Sequence, residues 1–91
     1  MYNDLAVQEQ ELRLQEEYPI GTRGRLRYKT SIAFYLAMGW TPDAIAVVEA
    51  AYISKGIGNE CLTVRLENGR VEPLRCYPTE FEVLEGDRNE D

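Results

Sequence analysis

The sequence predicts a small, mainly β domain of about five strands that follows an N-terminal helix. Two segments, residues 22–30 and 61–67, alternate between small or apolar and polar or charged side chains, as half-buried strands do. Asn68-Gly69 follows the second segment and is a dipeptide that two-residue β-hairpins prefer. A chain of 91 residues has room for one such domain with one core.

An acidic helical segment is predicted for residues 1–19, which are rich in Glu and Gln and contain no glycine. Its apolar side chains fall on two faces, Leu5 with Leu12 and Val7 with Leu14, so no single apolar stripe forms. The segment is therefore expected to precede the β domain, without an obvious face for packing.

The first strand carries its basic residues on one face, and these are Arg23, Arg25, Arg27 and Lys29. Residues two apart on a strand rise by about 6.6 Å, close to the spacing of successive phosphates, so this face is a candidate nucleic-acid-binding site. The alternative is a solvated face that pairs with neighbouring Glu side chains. The acidic balance of the chain favours that alternative.

Two segments in the middle of the chain each allow two interpretations. Residues 31–40 form an apolar run that is either a short helix, capped by Ser31 and stopped by Gly39, or a folded loop. Residues 42–54 begin with a helix-start signal but contain strand-forming Val, Tyr and Ile residues. We assign residues 45–53 to a strand.

The last third of the chain predicts a hairpin followed by a short closing strand. After Asn68-Gly69, Pro73 lacks an N–H for the ladder, so the second strand is expected to bulge there or to lie at an edge. Tyr77-Pro78 begins a segment suited to a single 3₁₀ turn, and residues 81–84 form the closing strand. Residues 85–91 are predicted to be an acidic disordered tail.

This order of elements resembles that of an SH3-like small barrel over residues 20–84. The resemblance rests on a long first loop, two hairpins, and the phrase that runs from Val64-Arg65-Leu66-Glu67-Asn68-Gly69 to Pro78-Thr79-Glu80-Phe81-Glu82-Val83-Leu84. The Ala-Leu-Tyr-Asp-Tyr segment of signalling SH3 domains is absent, so their proline-rich ligands are not implied. The resemblance implies a barrel fold and by itself no function.

Composition argues against an enzyme. The chain has no histidine and only two cysteines, and it contains no phosphate-cradling glycine loop and no metal-ligand spacing. We therefore expect no catalytic residue, no metal and no cofactor. No apolar run approaches the roughly 20 residues that span a bilayer, and no signal peptide is evident, so we expect a cytoplasmic protein without membrane contact.

The aromatic side chains are the main candidates for partner binding. In SH3-like barrels the first long loop and the 3₁₀ turn flank a groove where partners often bind, so we assign partner binding to five residues. They are Tyr35, Trp40, Tyr52, Tyr77 and Pro78. Tyr35 and Trp40 are expected to be partly exposed, because exposed aromatic residues are common binding hot spots.

The two cysteines are a candidate redox pair. An uninterrupted hairpin at Asn68-Gly69 would place Cys61 directly opposite Cys76, at disulfide range. A bulge at Pro73 would break that register, and buried thiols more often pack in a core.

The leading functional hypothesis is a non-enzymatic protein-interaction module or small accessory subunit that docks on a protein partner. The first alternative is a nucleic-acid-binding accessory protein that uses the basic strand. A further alternative is an acidic DNA mimic of the phage or mobile-element inhibitor type. Self-association into a homo-oligomer is compatible with each of these hypotheses.

Overall fold

The computed structural model of the chain describes residues 4–56, 58–67 and 73–84. The elements in chain order are α1 (Asp4–Glu17), β1 (Arg23–Leu26), α2 (Ile32–Ala37), β2 (Ile45–Ile53), β3 (Glu60–Leu66), β4 (Leu74–Cys76), a 3₁₀ turn (Pro78–Glu80) and β5 (Phe81–Val83). The predicted mainly β class is confirmed, and so are the N-terminal helix and the short helix in the first long loop.

The strands form one antiparallel sheet in the order β4-β3-β2-β1-β5. Each of the first three strands pairs with the next one along the chain, and β5 returns to pair with β1. Within the described part of the chain the sheet is not closed, so β4 and β5 are its two edges. Both edge strands span three residues, which limits the unpaired backbone that they offer.

Strand β1 is shorter than the alternation predicts. Its ladder to β2 ends where Arg25 pairs with Ile45, and the chain then leaves β2 while Arg27 N–H donates to the carbonyl of Glu80 at 2.7 Å. The alternation of burial nevertheless continues through Tyr28, which is buried. Arg27 and Lys29 therefore lie beyond the strand on which they were predicted.

The long first loop contains α2, but the prediction that the Ser31 side chain caps this helix was wrong. Ser31 stands at the N-cap position with φ 56°, in the left-handed region, and its side chain makes no capping hydrogen bond. The predicted stop is confirmed, because Gly39 has φ 102° and the helix ends just before it. The helix-start signal at Thr41 produces a turn instead, with the N–H of Ala44 donating to the carbonyl of Thr41 at 3.0 Å.

Strand β2 contains a bulge at Glu49. Val48 pairs with Val64 and Ala50 with Thr63, so one extra residue stands in β2 opposite an uninterrupted β3. The bulge moves the buried positions from the even residues Ala46 and Val48 to the odd residues Ala51 and Ile53. This shift keeps the apolar side chains of a nine-residue strand facing one core.

Helix α1 packs on β2 with polar as well as apolar side chains. Leu14 is 2% exposed and belongs to the same core as the sheet, and Val7 packs against that core. The Gln15 side-chain amide donates to the carbonyl of Ala51 at 3.0 Å. The Glu11 carboxylate accepts the N–H of Ile53 at 2.9 Å.

These side chains occupy the part of β2 that β1 leaves without a strand partner. The β1 ladder covers residues 45–47 of β2, and Val48 accepts a hydrogen bond from the N–H of Gly21 and donates one to the carbonyl of Thr22. Beyond that point Glu11 and Gln15 satisfy backbone groups of the edge in place of a neighbouring strand. The packed face is therefore partly polar, which explains why no apolar stripe is visible in the sequence.

Replacing Gln15 or Glu11 by alanine is expected to lower the free energy of unfolding by about 1–2 kcal/mol in each case, because each change leaves a backbone group of the β2 edge unpaired. Gln8→Ala and Glu9→Ala are the matched controls, since both residues are exposed on the same helix. Urea denaturation followed by circular dichroism measures the four differences. Equal effects for the four variants would contradict this account of the helix.

The β3-β4 hairpin has the register expected of an interrupted strand. The predicted turn at Asn68-Gly69 lies outside the described residues, as does the predicted tail of residues 85–91. In the described part, Leu62 pairs with Cys76 and Val64 with Leu74, one residue away from the register of an uninterrupted two-residue hairpin. The structure therefore does not place Cys61 directly opposite Cys76. A bulge at Pro73, as predicted, would produce this displacement.

Candidate interaction groove

A groove of about 580 Å³ lies between α2 and the segment that runs from β4 into the 3₁₀ turn. Its walls combine aromatic, sulfur-containing and charged side chains. We call it the aromatic groove and define it by Phe34, Tyr35, Met38, Cys76, Tyr77 and Glu80. The first long loop supplies one wall and the 3₁₀ turn supplies the other.

The wall from the first loop rests on a buried aromatic cluster. The ring of Tyr35 stacks on Tyr28, with centroids 3.6 Å apart and an interplanar angle of 2°. Phe34 contacts Tyr35 edge to face at 5.1 Å, and Trp40 contacts Tyr28 edge to face at 5.2 Å. These contacts hold a helix of six residues that itself buries no side chain.

Tyr28 also ties this cluster to the opposite edge of the sheet. Its hydroxyl donates to the carbonyl of Arg75 in β4 at 2.9 Å. The side chain therefore bridges from the chain that follows β1 to the far edge strand. Burial, with a smaller contribution from the nearby Cys76, raises the pKa of the Tyr28 hydroxyl far above its ordinary value, so it remains a hydrogen-bond donor.

The rim of the groove exposes large apolar side chains on both sides. Phe34 is 58% exposed on the α2 side, and Tyr77 is 46% exposed on the side of the 3₁₀ turn. Tyr35 is half-buried between the stack and the groove. Two rings that face solvent across one depression form a surface suited to a binding partner.

Glu80 places a carboxylate in the groove. Its Oε1 atom accepts the backbone N–H of Tyr77 at 2.9 Å, which fixes the side chain at the start of the 3₁₀ turn. The side chain is half-buried. Glu80 therefore combines a structural role in the turn with a negative charge beside the aromatic rings.

The two thiols lie in the groove lining and are both buried and unpaired. Burial, followed by the charges of Glu80 and Cys61, raises the pKa of the Cys76 thiol to about 12. A thiol with this pKa stays protonated near neutral pH and is a poor nucleophile. The predicted redox pairing of Cys61 with Cys76 stays a prediction.

The groove brings together some of the predicted partner-binding residues and leaves others out. Tyr35 and Tyr77 line it, and Pro78 borders an adjoining shallow cavity of about 470 Å³ that Tyr77 shares. Tyr52 is half-buried in β2, where it pairs with Cys61, and it does not line the groove. Tyr52 therefore lies outside the surface that Tyr35 and Tyr77 share.

Trp40 is a core residue, and the expectation that it is partly exposed was wrong. Its side chain is 4% exposed, and its indole N–H donates to the carbonyl of Leu26 at 3.2 Å. The glycine that ends α2 turns the chain back, so Trp40 is directed under the helix. A second cavity of about 340 Å³ lies there, and Ile32 and Leu36 of α2 form part of its lining.

Two of the predicted basic residues form ion pairs. Arg23 pairs with Glu67 at 2.9 Å, and Arg27 pairs with Glu82 at 2.8 Å. All four side chains are substantially exposed, so each pair contributes less than about 1 kcal/mol to stability. Half of the basic set is thus engaged with carboxylates, as the solvated-face interpretation expects.

Sequence reasoning missed three components of the groove, namely Phe34, Met38 and Glu80. Phe34 directly precedes Tyr35, Met38 stands three residues after Tyr35, and both lie inside an apolar run of the sequence. Glu80 reads as one more acidic residue in an acidic chain. Its position at the third residue of the predicted 3₁₀ turn was the available signal.

Among residues 4–56, 58–67 and 73–84, no helix is long and apolar enough to cross a membrane. In the same residues no group of three or more His, Cys, Asp and Glu side chains is arranged to hold a metal ion. No family model, curated protein or solved structure matches the chain.

Proposed function

We propose that this protein is a non-enzymatic interaction module of the SH3-like type, and that it binds a short segment of a protein partner in the aromatic groove. The strand order β4-β3-β2-β1-β5 supports the SH3-like type, as does the 3₁₀ turn directly before the last strand. Fold type alone carries no function, so the proposal depends on the groove.

The observation that carries the proposal is the exposure of Phe34 and Tyr77 on opposite sides of one groove. Aromatic side chains contribute disproportionately to binding energy when a partner covers them. The rings beneath Phe34 are already packed, so a ligand would meet a preformed wall. A preformed wall lowers the entropic cost of binding.

The aromatic groove supports protein binding better than the basic strand supports nucleic-acid binding. Arg23 and Arg27 already have carboxylate partners, and a phosphate would have to compete with them. The nucleic-acid and DNA-mimic alternatives remain predictions, and neither gains a specific observation from the fold.

Selection from a phage library of short random peptides tests the proposal. Peptides that are enriched on the unmodified protein are expected to lose at least about tenfold in affinity for Phe34→Ala and for Tyr77→Ala, which corresponds to removal of one hot-spot side chain. Fluorescence anisotropy of labelled peptides measures these affinities. Circular dichroism checks that both variants keep the fold.

Leu12→Ala is the matched control, because Leu12 is a large apolar side chain that is 60% exposed on α1, outside the groove. The control is expected to bind the selected peptides like the unmodified protein. If no peptide is enriched, or if the groove variants and the control lose affinity equally, the proposed function is wrong.

A further inference from the structure

The aromatic groove contains one negative and one positive side chain among its described lining residues, Glu80 and Arg75. Glu80 is half-buried and is held by the Tyr77 N–H, whereas Arg75 is exposed on the edge strand. A half-buried charge acts through a less polar medium than an exposed one. The carboxylate is therefore expected to dominate the potential inside the groove.

The pKa values of ionisable groups around the groove shift in the direction that a negative potential predicts. Burial, followed by the Glu80 carboxylate, raises the pKa of the Tyr35 hydroxyl, and the Arg75 guanidinium lowers it by less. Glu80 also raises the pKa of Cys76. Groups on two separate elements, α2 and β4, thus face the negative charge that the 3₁₀ turn carries.

The faces of aromatic rings also attract cations, because the π system carries negative charge on its face. Phe34, Tyr35 and Tyr77 line the groove together with the carboxylate. A lysine or arginine side chain has an apolar stem that can contact the rings and a charged end that can pair with Glu80. A neutral apolar side chain would satisfy the rings but not the carboxylate.

From this arrangement we infer that the aromatic groove selects a basic side chain, lysine or arginine, on the short segment of its protein partner, with Glu80 as its counter-ion. The inference rests on the proposed function and specifies the chemistry of the segment that the groove receives. Charge complementarity is its basis, and the net charge of −6 on the chain acts in the same direction at long range.

The peptide selection described above also tests this inference. Peptides enriched on the unmodified protein are expected to contain lysine or arginine more often than the starting library does. Replacement of that basic residue by norleucine, which keeps the apolar stem and removes the charge, is expected to weaken binding about tenfold. The same selection on Glu80→Gln is expected to show no enrichment of basic residues.

Glu80→Gln preserves an oxygen that can accept the Tyr77 N–H, so the turn is expected to remain intact. Glu82→Gln is the control for charge, since it removes a carboxylate that lies outside the groove and pairs with Arg27. It is expected to leave both the enrichment and the affinities unchanged.

Two outcomes separate the inference from the proposed function. If the selected peptides lose affinity for Phe34→Ala but carry no excess of basic residues, or bind Glu80→Gln as well as the unmodified protein, the basic-residue inference is wrong and the interaction module stands. If no peptide binds the groove, both are wrong.

Discussion

Gly24→Ala is expected to lower the free energy of unfolding by about 3 kcal/mol, at the upper end of the usual cost of overpacking. A methyl group at Gly24 would overlap the carbonyl oxygen of Glu82 and would lie 2.7 Å from the ring of Phe81. Both groups belong to β5, which pairs with β1 at this point. The overlap with the carbonyl oxygen can be relieved only by separating the two strands, and the ring contact requires the buried Phe81 side chain to move as well.

Gly56→Ala is the matched control, because a methyl group there would meet nothing within 4 Å. It is expected to change stability by less than about 0.5 kcal/mol. Chemical denaturation of both variants, followed by circular dichroism, measures the difference. A Gly24→Ala protein as stable as Gly56→Ala would contradict the close packing of β1 against β5.

Trp40→Ala is expected to destabilise the protein by about 3–5 kcal/mol, the usual cost of removing a large buried aromatic side chain. The change would empty the space beneath α2, remove the edge-to-face contact with Tyr28, and leave the carbonyl of Leu26 without its indole donor. Domains of this size are stable by only about 5–15 kcal/mol, so a substantial fraction of that stability would be lost.

Trp40→Phe separates the two contributions, since it keeps most of the apolar volume and loses the indole N–H bond at 3.2 Å. It is expected to cost less than Trp40→Ala. Because Trp40 is the one tryptophan of the chain, unfolding has to be followed by circular dichroism and not by tryptophan fluorescence.

Phe34→Ala is the exposed-aromatic control and is expected to keep the stability of the unmodified protein within about 1 kcal/mol. An equally stable Trp40→Ala protein with altered self-association would instead place Trp40 at an interface.

Most of the sheet could be predicted from the sequence, because each strand has a local residue pattern that indicates it. The alternation at β3 and the apolar content of β2 are properties of neighbouring residues. The need for glycine at position 24 is not local, because the group that excludes a side chain there belongs to Glu82. The packing of α1 could not be predicted either. Gln15 and Glu11 bind backbone groups of β2, and backbone groups are the same whatever the residue type, so the sequence carries no signal for these contacts.

The groove could be predicted only in part, for a related reason. Tyr35 and Tyr77 were assigned from the character of the loop and of the turn that bear them. The burial of Trp40 depends on a reversal of the chain at Gly39, which decides whether the next aromatic faces solvent or the core. The role of Glu80 in the groove depends on how close α2 comes to the 3₁₀ turn, and that distance is a tertiary property.

Helix α1, which covers the C-terminal part of β2, also protects the protein against aggregation. Its side chains occupy backbone groups of Ala51 and Ile53 that would otherwise be available to a strand from another molecule. The covered stretch is rich in alanine, tyrosine and isoleucine and is therefore prone to intermolecular β-pairing once it is bare. Detachment of α1 is therefore expected to promote aggregation. Substitutions that remove the hydrogen bonds of Glu11 or Gln15 to β2 would therefore shorten the lag time of aggregation as well as lower the melting temperature.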